Sequence, residues 1–277
     1  MNASRRDRPR RGIPLRALAP NAVTALALCF GLTGIRFAIG GEWDRALGSI
    51  IIAAVLDGID GRIARLLKGE TRFGAELDSL SDVIAFGVSP AIILYLWTLQ
   101  PLQLNSLTWF GWTKYGWLVA LAYGVCCALR LARFNANIDA LEQPHKSAGF
   151  LTGVPAPGGA ALLFLPIYLW LWTDNTVFRQ AWVVAPWAAI VAFLMISNLA
   201  TYSWSALKLR RGIRLEVILA VALIGGALIS APWATLTVLT VLYVVAIPFS
   251  IRSYARVRRQ RTMARSVPAT PDETAPA

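Results

Sequence analysis

The sequence predicts an all-α fold, a polytopic membrane helix bundle of about eight helices, and three observations carry that expectation. Of the 277 residues, 56% are hydrophobic and 15% charged, and the mean hydropathy is +0.55, too apolar for a soluble domain of this length. Apolar windows of about 20 residues, the length that crosses a bilayer, recur along the chain. The basic residues are distributed unevenly among the connections between those windows.

The windows lie roughly at 22–40, 46–66, 80–99, 117–134, 157–173, 183–204, 215–231 and 233–250. The first follows an arginine-rich stretch, as a secretory signal would, but no small-residue cleavage site follows Gly40, so it is read as a membrane helix. Charged residues interrupt the second at Asp57, Asp60 and Arg62 and the fourth at Arg130. Residues 100–116 form the longest outer connection, where Trp109, Trp112, Tyr115 and Trp117 suit the membrane–water interface. About residues 135–150 form the longest inner connection. Its Asp139, Glu142, His145 and Lys146 are polar neighbours, and the lone histidine reads as a solvated loop residue. Residues 1–16 are expected to be a basic cytoplasmic tail, 17–265 one membrane domain, and 266–277 a disordered polar tail unable to build a core.

The net charge of +12 would suit nucleic acid if the basic residues formed a patch on a soluble domain. They follow the expected topology instead. With both ends inside, only Arg36, Arg45, Lys114 and Arg179 of the 27 lysines and arginines fall on the outer side, the bias of the positive-inside rule. Basic tails beside anionic headgroups are the simpler reading, and no nucleic-acid partner is expected. Cys29, Cys126 and Cys127 have neither disulfide-framework nor zinc spacing.

The chemistry concentrates in Leu56-Asp57-Gly58-Ile59-Asp60-Gly61-Arg62-Ile63-Ala64-Arg65 and Gly74-Ala75-Glu76-Leu77-Asp78-Ser79-Leu80-Ser81-Asp82. At about 100° per residue, Asp57 and Asp60 share a helix face, and so do Asp78 and Asp82. The short segment Leu66 to Phe73 makes the two helices antiparallel neighbours, so the acidic faces can converge. Four like charges beside lipid repel unless a cation stands among them. Two divalent ions would neutralise them, and an all-oxygen donor set favours Mg²⁺, Mn²⁺ or Ca²⁺ over zinc. Such a pair can clamp a pyrophosphate. Glycine inside a helix costs about 1 kcal/mol relative to alanine, so Gly58 and Gly61 point either to close ligand approach or to helix packing through small residues. Arg65 could pair with a diphosphate or snorkel to the interface.

The spacing Asp57-x2-Asp60-Gly61-x2-Ala64-Arg65-x8-Gly74-x3-Asp78-x3-Asp82 resembles the signature of the CDP-alcohol phosphotransferase family, with eight fixed positions over 26 residues. The resemblance implies a six-helix core, here extended by two C-terminal transmembrane helices, with a two-metal site open to the cytoplasmic side. It implies Asp57, Asp60, Asp78 and Asp82 as metal ligands and Asp82 as general base. Asp57, Gly61, Ala64, Arg65, Gly74 and Asp78 would surround the CDP-lipid headgroup.

The segments Leu77 to Ala91, Leu129 to Asn135 and Gly153 to Pro157 are similar to serine-transferring members of the family, although Ser81 and Val154 stand where alanine and leucine are commoner. The expected reaction therefore moves the phosphatidyl group of CDP-diacylglycerol to L-serine. Arg130, Arg133 and Asn135 are candidates for holding the serine, although both arginines also fit positive-inside topology. Glycerol 3-phosphate or inositol phosphate is the rival acceptor, and a cation transporter is the remote alternative. The resemblance allows a homodimer, and the expected location is a bacterial inner membrane with the site and both termini cytoplasmic.

Overall fold

The computed structural model describes residues 15–69, 71–99, 112–136, 150–197, 200–202 and 214–266. Helices α1 (Leu15–Ile39) and α2 (Trp43–Leu67) form an antiparallel hairpin. Its turn is made by Gly41 at φ 74°, a left-handed conformation that glycine adopts without Cβ strain. After the α2 C-cap at Lys68, helix α3 (Arg72–Leu99) starts behind Thr71, whose hydroxyl accepts the Gly74 N–H at 3.0 Å as an N-cap. Within α3, Val83–Val88 and Tyr95–Leu99 wind as π-helix.

Helix α4 (Trp112–Ala136) packs beside the first π stretch. There the Tyr123 hydroxyl donates to the Phe86 carbonyl at 2.9 Å. Helices α5 (Ala156–Leu163) and α6 (Leu165–Thr173) meet at a 41° bend. Pro166 has no N–H to continue the ladder across that break. A 3₁₀ turn (Thr176–Arg179) leads into α7 (Ala181–Ile196), and α8 (Arg214–Ser230) and α9 (Pro232–Ser266) follow. Two short strands, β1 (Phe150–Thr152) and β2 (Ala200–Tyr202), pair antiparallel with each other.

The core runs between α2 and α7 through Leu47, Ile50, Phe86, Ile93, Trp97, Tyr123, Leu162, Ile167 and Met195. Many large apolar side chains face outward instead, including Phe193 at 72% exposed and Ile229 at 87%. That inside-out pattern is what a hydrocarbon solvent permits.

Every expected window overlaps a helical segment, but eight crossings are not reached by length and composition. Among the described residues α1, α3, α4 and Pro232–Ser250 of α9 qualify, with bent α5–α6 as a fifth. Helix α2 is continuous and long enough but carries too many charges along it, and α7 and α8, at 16 and 17 residues, fall short of the roughly 20 that a bilayer needs.

Three boundaries also move. The window expected to reach 204 is helical only to Ile196, and α4 already begins at Trp112 within the expected outer connection. Helix α1 starts at Leu15, inside the expected tail. Trp109, Asp139, Glu142, His145, Lys146 and nearly all of the expected tails lie outside the described residues.

Candidate metal and phosphate site

The site grows out of two helix stripes that change character near one end of the bundle. Along α2 the inward stripe runs Ala46, Ile50, Ala53, Asp57, Asp60, each three or four residues on, so the face that is apolar core becomes acidic in its last turns. Along α3 the stripe runs in the opposite sense, from Asp78 and Asp82 into Phe86, Ser89, Ile93 and Trp97. Because the helices are antiparallel and joined by a tight turn, the two acidic ends coincide. Carboxylate oxygens of Asp57, Asp60 and Asp78 all lie within 4.8 Å of one another. Asp82 stands outside that triangle, with its side chain within hydrogen-bonding reach of Asp57.

Oxygens at these separations fit a hard divalent cation. Ligands at about 2.0–2.6 Å from such an ion are separated from each other by about 3–5 Å. Among the residues whose side chains are described, no ion pair is formed with any of the four carboxylates.

Space around the acids is open on one side. Nothing lies within 4 Å of a Cβ built on Gly58, and at Gly61 only the Arg65 guanidinium comes as near as 4.0 Å. Helix packing therefore does not explain Gly58 among the described residues. Arg65 is exposed one turn beyond Gly61, and Ala64 is half-buried beside it. Gly74 has a different reason to be small. A Cβ there would stand 2.7 Å from Asn21 Oδ1 and 3.2 Å from the Thr71 hydroxyl.

The acceptor candidates separate. Arg130, on α4, interacts electrostatically with Asp82 and with Tyr243 of α9, and its Nε is buried without a hydrogen-bond partner. Arg133 Nη1 donates to the Ile196 carbonyl at 2.8 Å, with Nη2 at 3.5 Å from that of Ser197, so it holds the end of α7. Asn135 Nδ2 donates to the Ser79 hydroxyl at 2.8 Å, tying α4 to the acid-bearing helix.

Helix α1 forms a third wall that the sequence reading missed. The Thr24 hydroxyl donates to Asp60 Oδ2 at 2.6 Å, and Ser81 Oγ donates to the Thr24 carbonyl at 3.3 Å. The available signal was faint: Asn21 and Thr24 are polar residues on one face of an apolar helix.

Comparison with known proteins agrees with this architecture. The CDP-alcohol phosphatidyltransferase family model matches residues 17–252, and the chain belongs to that family, whose members depend on divalent cations. Its similarity extends to proteins named CDP-diacylglycerol–serine O-phosphatidyltransferase. The one from Mycobacterium tuberculosis is 36% identical over 90% of this chain and 82% of its own length. That from Mycobacterium leprae is 36% identical over 90% and 79%, and that from Saccharomyces cerevisiae 33% identical over 47% and 44%.

Proposed function

We propose that this protein transfers the phosphatidyl group of CDP-diacylglycerol to L-serine, releasing phosphatidylserine and CMP. The observation that carries this reading is the convergence of Asp57, Asp60 and Asp78 within 4.8 Å beside the open face of Gly58 and Gly61. The names of the similar mycobacterial proteins support serine as acceptor.

Asp57, Asp60 and Asp78, joined by Asp82, would hold two divalent cations, Mg²⁺ or Mn²⁺. When bound, these ions neutralise the diphosphate and stabilise charge on the entering and leaving oxygens. The residues do the rest. The glycine face lets the cytidine diphosphate approach the α2 backbone, and Arg65 reaches its phosphates from one turn away. The acyl chains stay in lipid.

Asp82 accepts the proton of the serine hydroxyl, whose oxygen attacks the phosphorus that carries the diacylglycerol. The bond from that phosphorus to the bridging oxygen breaks, and CMP leaves with the electron pair. Arg130, whose buried Nε has no hydrogen-bond partner, is the residue we assign to the serine carboxylate. Arg133, engaged at the end of α7, contributes to that pocket by fixing α4, and Asn135 does so through Ser79. The site and both termini are assigned to the cytoplasmic side of the membrane by the basic bias of the sequence.

The test is CMP release from purified protein given CDP-diacylglycerol, Mn²⁺ or Mg²⁺, and one alcohol at a time. Release with L-serine is the expected result. Release only with glycerol 3-phosphate or inositol phosphate would reassign the acceptor.

A further inference from the structure

Thr24 lies on α1, 5% exposed, where a hydroxyl without a partner would be costly. Two acceptors are within its reach, the Pro20 carbonyl at 3.1 Å and Asp60 Oδ2 at 2.6 Å. A hydroxyl has a single proton, and the shorter contact to the carboxylate takes it. Asp60 is itself 5% exposed, so water has little access to replace that bond. The carbonyl of the same residue accepts the hydroxyl of Ser81, which is 3% exposed and lies between Asp78 and Asp82 on α3. One residue of α1 is thus bonded to the acidic end of α2 through its side chain and to the acidic end of α3 through its backbone.

The flanking contacts make this junction stiff. Asn21, one turn before Thr24, sits against Gly74 at the start of α3. Gly31, two turns beyond Thr24, lets Ala85 approach so closely that a Cβ on Gly31 would stand 2.9 Å from the Ala85 Cα. Helix α1 therefore meets α3 along the face Gly74, Ser81, Ala85. That face lies within a quarter turn of Asp78 and Asp82 at about 100° per residue.

We infer that Thr24 and Ser81 form a positioning clamp that fixes Asp60 and sets the separation of the two acid pairs for metal binding. The clamp rests on the reading of the four aspartates as a metal site and extends it to residues that touch neither cation nor substrate.

The experiment measures Mn²⁺ binding to the purified full chain by electron paramagnetic resonance, without substrate. Thr24→Val keeps the shape and removes the hydroxyl. It is expected to raise the Mn²⁺ dissociation constant about 10–100-fold, the usual effect of losing a group that orients a ligand. Thr24→Ser restores the hydroxyl and is expected to recover affinity to within about threefold of the parent. Ser81→Ala makes a small deletion that the helix accommodates, and its weaker binding keeps the test decisive even if Thr24→Val misfolds.

Asp60→Asn is the control that separates the two readings. Parent-like affinity in Thr24→Val and Ser81→Ala, with affinity lost in Asp60→Asn, overturns the clamp and leaves the metal site standing. Parent-like affinity in Asp60→Asn as well overturns the metal site and the clamp together.

Discussion

The two ends of the bundle treat charge in opposite ways. At the end bearing the α1–α2 turn, Arg45 pairs with Glu42, and Arg36 and Arg45 lie over the Phe37 ring at 5.8 and 5.9 Å. Arg179 is placed 5.4 Å from the Trp170 ring, its Nε donates to the Trp97 carbonyl at 3.2 Å, and its own carbonyl accepts the Thr98 hydroxyl. Each of these cations is occupied by protein. At the other end four carboxylates gather with no cation in ion-pair range among the described residues, while Arg130 keeps an unused Nε. A chain able to satisfy its charges at one end has left them unsatisfied at the other, where the proposed divalent cations would complete the set.

The largest expected effect falls on the unsatisfied end. Asp82→Asn should lower kcat by about 10²–10⁴-fold, the usual contribution of a general base, while CDP-lipid binding measured in parallel stays near the parent value. Near-normal turnover would remove Asp82 from that role.

Next comes Arg130→Gln, expected to raise the KM for serine about 10–100-fold, equivalent to the roughly 1.5–3 kcal/mol of a charge-assisted bond, with the KM for CDP-diacylglycerol little changed. Serine dependence that stays unaltered would return Arg130 to a purely topological role.

Gly58→Ala sharpens the contrast differently. Since an added Cβ meets nothing within 4 Å, thermal unfolding in detergent should show a gain of up to about 1 kcal/mol from helix propensity. Turnover should fall nonetheless, because the ligand needs that surface.

The smallest functional effect is expected at the satisfied end. Arg179→Ala should cost about 1–2 kcal/mol of stability through the lost aromatic and carbonyl contacts and leave kcat unchanged.

Helix positions and the acid pairs were legible because each rests on local periodicity. A stripe at three- and four-residue spacing is visible in sequence, and the short Leu66 to Phe73 link forces its two helices together. What was not legible depends on partners distant in the chain. Thr24 is 36 residues from Asp60 and 57 from Ser81, and a threonine in an apolar helix is ordinarily unremarkable. Arg133 looked equivalent to Arg130 in sequence, and only the arrival of the α7 terminus separates them. The window at 183–204 overruns its helix because Leu199, Ala200, Tyr202 and Trp204 extend its apolar character past Ile196 among polar residues, whereas α7 ends there and Ala200–Tyr202 form β2.

The π-wound stretch Val83–Val88 begins directly after Asp82, and the Ser89 N–H reaches back five residues to the Ile84 carbonyl. Such a stretch amounts to one residue inserted into an α-helix. Removing a single residue there would rotate the catalytic half of α3 by about 100° against its anchored half. The segment thus sets the angular phase between reaction centre and scaffold, which makes change in chain length, rather than in side chain, the most economical route to re-aiming this catalyst.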